Sequence, residues 1–236
     1  MIVNTFAGNL DICMFDMYIR NHTIRGDLFE QHIILGPLKT IIQKSKVILD
    51  IGANNGNHTL AYSFLSQPEC SIYAFEPQKF VFNHLENTVK LNDHTREKVK
   101  LFNKAVGDTC RTDTMCTVDI TTPQNLGGVS IGTGGEEVEM ITIDSLNIKS
   151  CDFVKMDVEG YESHVILGAK DTISKFKPII MFEHNRQSEH DTPFKMLSEI
   201  HGYTNFKYLD WSNWLAWHDD NPPDLPIHPC LPTIYH

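Results

Sequence analysis

Leu49-Asp50-Ile51-Gly52-Ala53-Asn54-Asn55-Gly56-Asn57-His58-Thr59 decides how this chain is read. Together with Val47-Ile48 before it, a short continuous apolar run leads into a glycine-containing turn and then into a helical pattern reaching Leu65. Such a run suits a strand buried on both faces of a parallel sheet. Glycines in the turn let the backbone approach a ligand closely, and the following helix presents free N–H donors. The spacing is G-x-x-x-G and not the G-x-G-x-x-G of a dinucleotide site. Read alone, the stretch is also explained by a strand-to-helix turn that simply needs glycine.

The neighbouring segment adds weight. Ile72-Tyr73-Ala74-Phe75 reads as a second buried strand, and Glu76 stands at its end, 20 residues past Gly56. An acid there, at the carboxyl edge of an open α/β sheet, is placed to hold the two hydroxyls of a ribose. A helix-start acid favoured by the dipole is the plainer reading of Glu76. With both signals in order, nucleoside binding is the expectation.

Further strands are expected at Val99-Lys100-Leu101-Phe102, at Phe153-Val154-Lys155-Met156 and at Pro178 to Phe182. Helices are expected from Pro77 to Leu91, near 161–175 and near 192–200. Alternation of this kind means βαβ units and a mostly parallel sheet with helices on both faces. Upstream, 1–19 reads as a β-hairpin turning at Ala7-Gly8-Asn9, and 27–44 as a helix that Pro37 kinks or divides. Residues 109–145 break the rhythm and read as an excursion of short antiparallel strands at 114–120 and 136–143. Pro222, Pro223, Pro226, Pro229 and Pro232 make the end an irregular tail, which Trp211, Trp214 and Trp217 are expected to pin to the body or to offer as a ligand wall. One domain is expected over 1–236. Its parts are an N-terminal hairpin and helix (1–45), a Rossmann-like core (46–208) and a tail (209–236).

Composition narrows the partners. Lys and Arg total 20 against 30 Asp and Glu, a net charge of −10. Polyphosphate surfaces repel such a chain on average, so no nucleic acid and no anionic membrane is expected as partner. Hydrophobic residues at 41% and charged residues at 21% are an ordinary globular balance. Cys13, Cys70, Cys110, Cys116, Cys151 and Cys230 are scattered without a C-x-x-C pair, as in a reducing compartment. Residues 1–9 lack a basic flank and a long apolar run, so neither a signal peptide nor a membrane span is expected, and a cytoplasmic protein is.

Asp50-Ile51-Gly52-Ala53-Asn54-Asn55-Gly56, Phe75-Glu76-Pro77, Thr142-Ile143-Asp144-Ser145-Leu146, Lys155-Met156-Asp157-Val158-Glu159-Gly160-Tyr161-Glu162 and Glu183-His184 occur in that order. Over roughly 45–185 the chain resembles the FkbM family of S-adenosylmethionine-dependent methyltransferases. The resemblance implies the class I methyltransferase fold and methyl transfer, usually to a hydroxyl, with S-adenosylhomocysteine as product. Several relatives resemble sugar-modifying enzymes.

By that match, Asp50 faces the amino-acid end of the donor. Gly52, Ala53, Asn54, Asn55 and Gly56 pass close to it, Glu76 takes the ribose with Pro77 beside it, and Ala105 and Val106 approach the adenine. His58 and Thr59, with Asn57, open the helix where the donor carboxylate lies, although a surface role explains His58 as well. Glu30, before the first core strand, is a further donor contact. Asp157 ends the fourth strand where acceptor meets donor, with Lys155 two residues before it and Glu159 two after. Glu162 reads as a helix-start acid.

A neutral sugar hydroxyl needs a base, or a metal to lower its pKa. His184 is the natural base by intrinsic pKa, with Asp157 the alternative and Glu159 or Glu183 orienting the acceptor. Asp157, Glu183 and His184 also make an O/N set for Mg²⁺ or Mn²⁺. His218-Asp219-Asp220 reads first as a solvated turn. The expectation is an O-methyltransferase acting on a carbohydrate hydroxyl. The alternatives are a lipid, polyketide or other small-molecule hydroxyl, an NAD enzyme, which the missing fingerprint opposes, and a non-catalytic nucleotide-binding module.

Overall fold

In the computed structural model, which describes residues 1–117, 119, 121–184 and 192–225, the apolar run Val47–Ile51 is a strand paired in parallel on both sides. In chain order the strands and helices are β1 (Ile2–Thr5), β2 (Gly8–Asp11), α1 (Met17–Thr23), α2 (Gln31–Leu35), α3 (Lys39–Lys44), β3 (Val47–Ile51), α4 (Asn57–Leu65), β4 (Ser71–Phe75), α5 (Lys79–Lys90), α6 (Asp93–Arg96) and β5 (Val99–Phe102). There follow β6 (Ala105–Val106), β7 (Arg111–Met115), β8 (Glu136–Ile141), β9 (Phe153–Met156), α7 (Glu162–Gly168), α8 (Lys170–Phe176), β10 (Ile179–Glu183), α9 (Thr192–Lys195), β11 (Asn205–Asp210) and β12 (Asn213–Trp217).

The main sheet has seven strands in the order β11-β12-β10-β9-β3-β4-β5. From β10 to β5 all neighbours are parallel, and β12 runs antiparallel to both β10 and β11. The chain winds outward from β3 through β4 to β5, then returns to β9 on the other side of β3. That reversal makes a switch point between β3 and β9, and a crevice opens there beyond the carboxyl ends of the strands.

Alternation along the strands divides the core in two. Ile48, Ile72, Phe153, Ile179 and Met181 face one apolar cluster with α3, α4 and the N-terminal strands. Leu49, Ile51, Val154, Met156, Ile180 and Phe182 face another with α7 and α8. Both faces are covered, which is why these strands are apolar throughout.

The differences from the sequence reading are local, with one exception. The N-terminal hairpin is tighter than expected: Thr5 pairs with Gly8 around a turn at Phe6-Ala7, and 17–19 belong to α1, capped where the Asp16 carboxylate accepts the Ile19 N–H. The helix expected over 27–44 starts only at Gln31 and is divided at Gly36-Pro37 as expected, while that near 161–175 is broken at Ala169. The 192–200 helix ends in a π-helical turn over Met196–Ile200. In the excursion, β7 and β8 are antiparallel as expected, but β6 joins them in parallel.

The exception is the tail. Residues 209–217 are not irregular: they complete β11 and form β12 inside the main sheet. Trp214 packs its ring on Phe194 and Tyr208, and Trp217 lies against the first core cluster. Asn185, Pro226, Pro229, Cys230 and Pro232 lie outside the described residues. His218-Asp219-Asp220 is a turn, with Asp219 bonded to Thr204 and Asn205 and Asp220 to Lys177.

Gly168, at the end of α7, has no room for a side chain: a Cβ there would collide with the Gly107 carbonyl oxygen. Gly168→Ala is therefore expected to lower stability by about 1–3 kcal/mol. This is read as a drop in the urea midpoint with an unchanged slope; a loss within ~0.5 kcal/mol, the range of an ordinary surface change, would show that α7 shifts aside freely.

Candidate active site

The crevice at the switch point holds two adjoining cavities that share Gly52, Glu76, Gly127, Asp157 and Glu159. The first encloses about 460 Å³ and is mainly apolar, walled by Phe75, Pro77, Ala105, Val106, Val129 and Ile131. The second encloses about 870 Å³ and is polar, walled by Glu30, Asn54, His58, Lys155, Glu183 and Asn213, with Tyr18 and Trp211 at its side.

Glu76 stands where the two meet. Its carboxylate accepts the backbone N–H of Asn54 at 3.0 Å and of Gln78 at 2.9 Å, which ties the end of β4 to the turn after β3. Burial pushes its pKa up to about 7, partly opposed by those two bonds. Gly52 has φ +78, and a Cβ on it would strike the Asp157 carbonyl oxygen, so glycine is required where the two strand ends pass. Gln78, not anticipated, also donates from its side chain to the Leu126 carbonyl. That bond fixes the excursion against the slot.

Lys155 is the buried cation of the site, 3% exposed along its side chain. Its Nζ donates to the Gly52 carbonyl at 2.7 Å and lies 3.3 Å from Asp157 and 3.7 Å from Asp50. Asp50 is its register partner on β3. Desolvation would lower the ammonium pKa, but Asp157, Asp50 and Glu30 outweigh it and raise it. Lys155 is thus an anchored cation and not a base.

Asp157, Glu159 and Glu183 bring carboxylate oxygens within 4.8 Å of one another. Desolvation would raise Asp157, yet Lys155 and a hydrogen bond from Glu183 hold it below the usual carboxylate range. Glu183 is pushed up to about 8 by burial and by Asp157, although its Oε1 accepts the Ser212 hydroxyl at 2.6 Å. Glu183 therefore carries the proton it shares with Asp157. Glu159 is raised to about 7 by burial, Asp157 and Glu162. Its backbone sits at φ 53, followed by Gly160 at φ 90, and Ser130 Oγ donates to its carbonyl at 2.7 Å. A non-glycine residue held there costs about 1–3 kcal/mol.

His184 does not join this cluster. Alternation along β10 sends Glu183 toward the crevice and His184 to the opposite face, where its ring meets Phe194 edge-to-face at 5.0 Å. The expected base and the His184-containing metal set are corrected accordingly: the close set is Asp157, Glu159 and Glu183.

Asp50 is fully buried and accepts a 2.5 Å bond from Thr59 Oγ1. Thr59 is buried with it. Asn55 donates from its side chain to the Asp11 carbonyl, and a Cβ on Gly56 would meet Leu85. Glu162 accepts the Val158 and Gly160 N–H groups as a helix-start acid.

The N-terminal segment closes the polar cavity. Asn57 Oδ1 accepts the Phe29 N–H and its amide donates to the Phe29 carbonyl. Glu30, at φ 57, accepts from Asn213 Nδ2 at 2.5 Å and pairs with His58 at 3.1 Å. Above it, the excursion is bound to 15–17: Met17 N–H donates to Gln124 O, and Gln124 N–H to Phe15 O. Tyr18, Ser212 and Asn213 carry no local motif, which is why sequence reading missed them.

The model of the Methyltransferase FkbM domain matches residues 50–215. Among solved structures, the chain is similar to methyltransferase FkbM from Methylobacillus flagellatus KT (17% identity, TM-score 0.56, covering 74% of this chain and 44% of that one). It is also similar to a putative O-methyltransferase from Klebsiella pneumoniae (15% identity, TM-score 0.50, 86% and 89% covered). At such identities the likeness shows the fold, which is that of Rossmann-like methyltransferases. The chain spans less than half the length of the Methylobacillus protein. No curated protein matches it. Among the described residues, no helix is long and apolar enough to cross a membrane.

The raised acids make stability depend on pH. Glu76 and Glu183 bind protons more tightly folded than unfolded, so the stability they contribute is full below about pH 4.5 and is lost as pH rises through about 7 and 8. The urea midpoint is expected to fall between pH 5 and pH 8.5, and Glu183→Gln to flatten that fall. A midpoint that rises over this range would contradict the proton placement.

Proposed function

The chain belongs to the FkbM methyltransferase family, and from that premise we propose that it is an S-adenosylmethionine-dependent O-methyltransferase acting on a carbohydrate hydroxyl. The observation that carries the reading is one crevice in which an apolar slot and a polar cavity meet at Glu76, Asp157 and Glu159, with Glu183 on the polar side. That arrangement suits a donor with a flat base, a ribose, and sulfonium and ammonium charges.

When bound, S-adenosylmethionine supplies an electrophilic methyl group on a sulfonium. Ala105, Val106 and Pro77 give its base a dry slot. Glu76 accepts ribose hydroxyls with the lone pairs left beside its two backbone bonds. Gly52, Ala53 and Asn54 let the backbone pass the amino-acid end, with His58 and Glu30 beside it. Asp157 and Glu159 accept hydrogen bonds from the acceptor and hold its ring, and positive charge placed before them lowers the pKa of Glu183. Glu183, with Oε1 held by Ser212, then takes the acceptor's proton at Oε2. Lys155 keeps Asp157 ionised and fixes the Gly52 carbonyl. Acidic walls beside Tyr18 and Trp211 favour a sugar over a lipid or polyketide acceptor.

Asp157, Glu159 and Glu183 also suit Mg²⁺ or Mn²⁺, which would activate the hydroxyl directly. Lys155 already supplies a positive charge 3.3 Å from Asp157, which favours the base.

Calorimetric titration is expected to show binding of S-adenosylmethionine and not of NAD, with Glu76→Ala weakening it at least about tenfold, as for loss of a charged hydrogen-bonding group. Methyl transfer is then sought on nucleotide sugars and glycans. Glu183→Gln should lower kcat about 10²–10⁴-fold with donor affinity little changed, and EDTA should have no effect. The kcat/KM of the wild type should rise with pH and level off above about 8. Failure to bind S-adenosylmethionine would overturn the reading, and loss of activity in EDTA restored by Mg²⁺ would replace the base with a metal.

A further inference from the structure

Outside the crevice, the most unusual side chain is Trp211. The residue is 64% exposed although its backbone is tightly held. It sits at the β11–β12 turn with φ 56, a conformation that favours glycine or asparagine over a bulky residue. Its N–H donates to Asp210 Oδ1 at 2.8 Å, and its carbonyl accepts the Tyr208 hydroxyl at 2.6 Å. The other carboxylate oxygen of Asp210 lies 2.7 Å from His32 Nε2, which ties the turn to α2. The turn is thus built to present an indole face to solvent.

Trp211, Phe29 and Glu30 line both the polar cavity and a neighbouring surface groove of about 970 Å³ that runs past His22, Gln31 and His32. An aromatic wall joins the two. Tyr18, at the polar cavity, packs its ring at 5.2 Å from both Phe29 and His22. Asp27 and Gln31 place a carboxylate and an amide at the groove, bonded to each other at 3.3 Å and keeping further acceptor and donor capacity for hydroxyls. Aromatic faces interleaved with acids and amides suit a pyranose, which offers a C–H face to a ring and hydroxyls at its edge. The acidic lining opposes a phosphorylated or anionic ligand.

We propose that the groove is a second sugar subsite: the acceptor is an oligosaccharide whose unit next to the methylated one stacks on Trp211. This rests on the carbohydrate O-methyltransferase reading above. The occupant is a neutral glycan because the groove continues the acceptor cavity and shares its wall.

The test uses the whole chain and two readouts. The first is the indole N–H signal of Trp211 in ¹H–¹⁵N spectra, assigned with Trp211→Phe, during titration with methyl glycosides of glucose, galactose, mannose, rhamnose, fucose and xylose and with di- and trisaccharides of the same sugars. The second is methyl transfer to the same panel. The Trp211 signal is expected to move with di- or trisaccharides and far less with the methyl glycosides. Trp211→Ala should lower kcat/KM about tenfold more for a trisaccharide than for the matching methyl glycoside, mainly through KM, and Trp211→Phe should restore most of it. Methyl transfer to saccharides with a silent Trp211 signal, or an equal loss at every acceptor length, would overturn the subsite and leave the reaction standing. A moving signal without methyl transfer would keep the subsite and overturn the reaction. Neither response would overturn both.

Discussion

The Lys155 ammonium is the interaction on which the rest of the crevice depends. It sits on a central strand at the point where the winding of the sheet reverses, buried against Asp50 in register on β3, the Gly52 carbonyl and Asp157. Removing one member of such a buried pair leaves an uncompensated charge and costs about 3–5 kcal/mol. The pair therefore locks the ends of β3 and β9 at a fixed spacing. Gly52 is the residue that spacing permits, because any Cβ there would meet Asp157.

One cation cannot neutralise every acid around it. Asp157 takes the charge of Lys155, and Glu183 and Glu159 are left to hold protons near neutrality. The polar cavity is thus short of positive charge when empty of ligand. An incoming cation is welcomed by the same acids that its arrival ionises. The apolar slot differs: the end of β4, β6 and the excursion offer it mainly side chains without charge, while Lys104 and the carboxyls of Glu76, Asp157 and Glu159 also line it.

Much of this was legible from residue order. The strands from β3 to β5, β9 and β10 are short apolar runs bounded by turns, and both faces of the sheet are covered, so local pattern and tertiary burial agree. Gly52, Glu76, Asp157 and Glu159 stood out because each ends a strand at the carboxyl edge. His184 was misjudged by intrinsic pKa where parity should have decided: Ile179, Met181 and Glu183 share one face, and Ile180, Phe182 and His184 the other. Asp50 is assigned to the donor by family likeness alone, and Thr59 and Lys155 are its neighbours in the structure. The β11–β12 hairpin was hidden because prolines beyond it suggested a tail, and with it went Ser212 and Asn213. Side chains that reach a site through tertiary packing, such as Tyr18, leave no mark in spacing.

The excursion that crosses the crevice is fastened at both ends of its inner stretch. Gln124 exchanges backbone bonds with Phe15 and Met17, Leu126 is buried with Cys13 and Val81, and its carbonyl accepts from Gln78. The segment carrying Asn125 and Gly127 is thus ordered before anything enters. A free strap would have to be frozen on association, at about 0.5–1.5 kcal/mol for each immobilised side chain. Here that entropy is spent during folding, so the residence of a ligand in the crevice is governed by the contacts it makes and not by the closing of a lid.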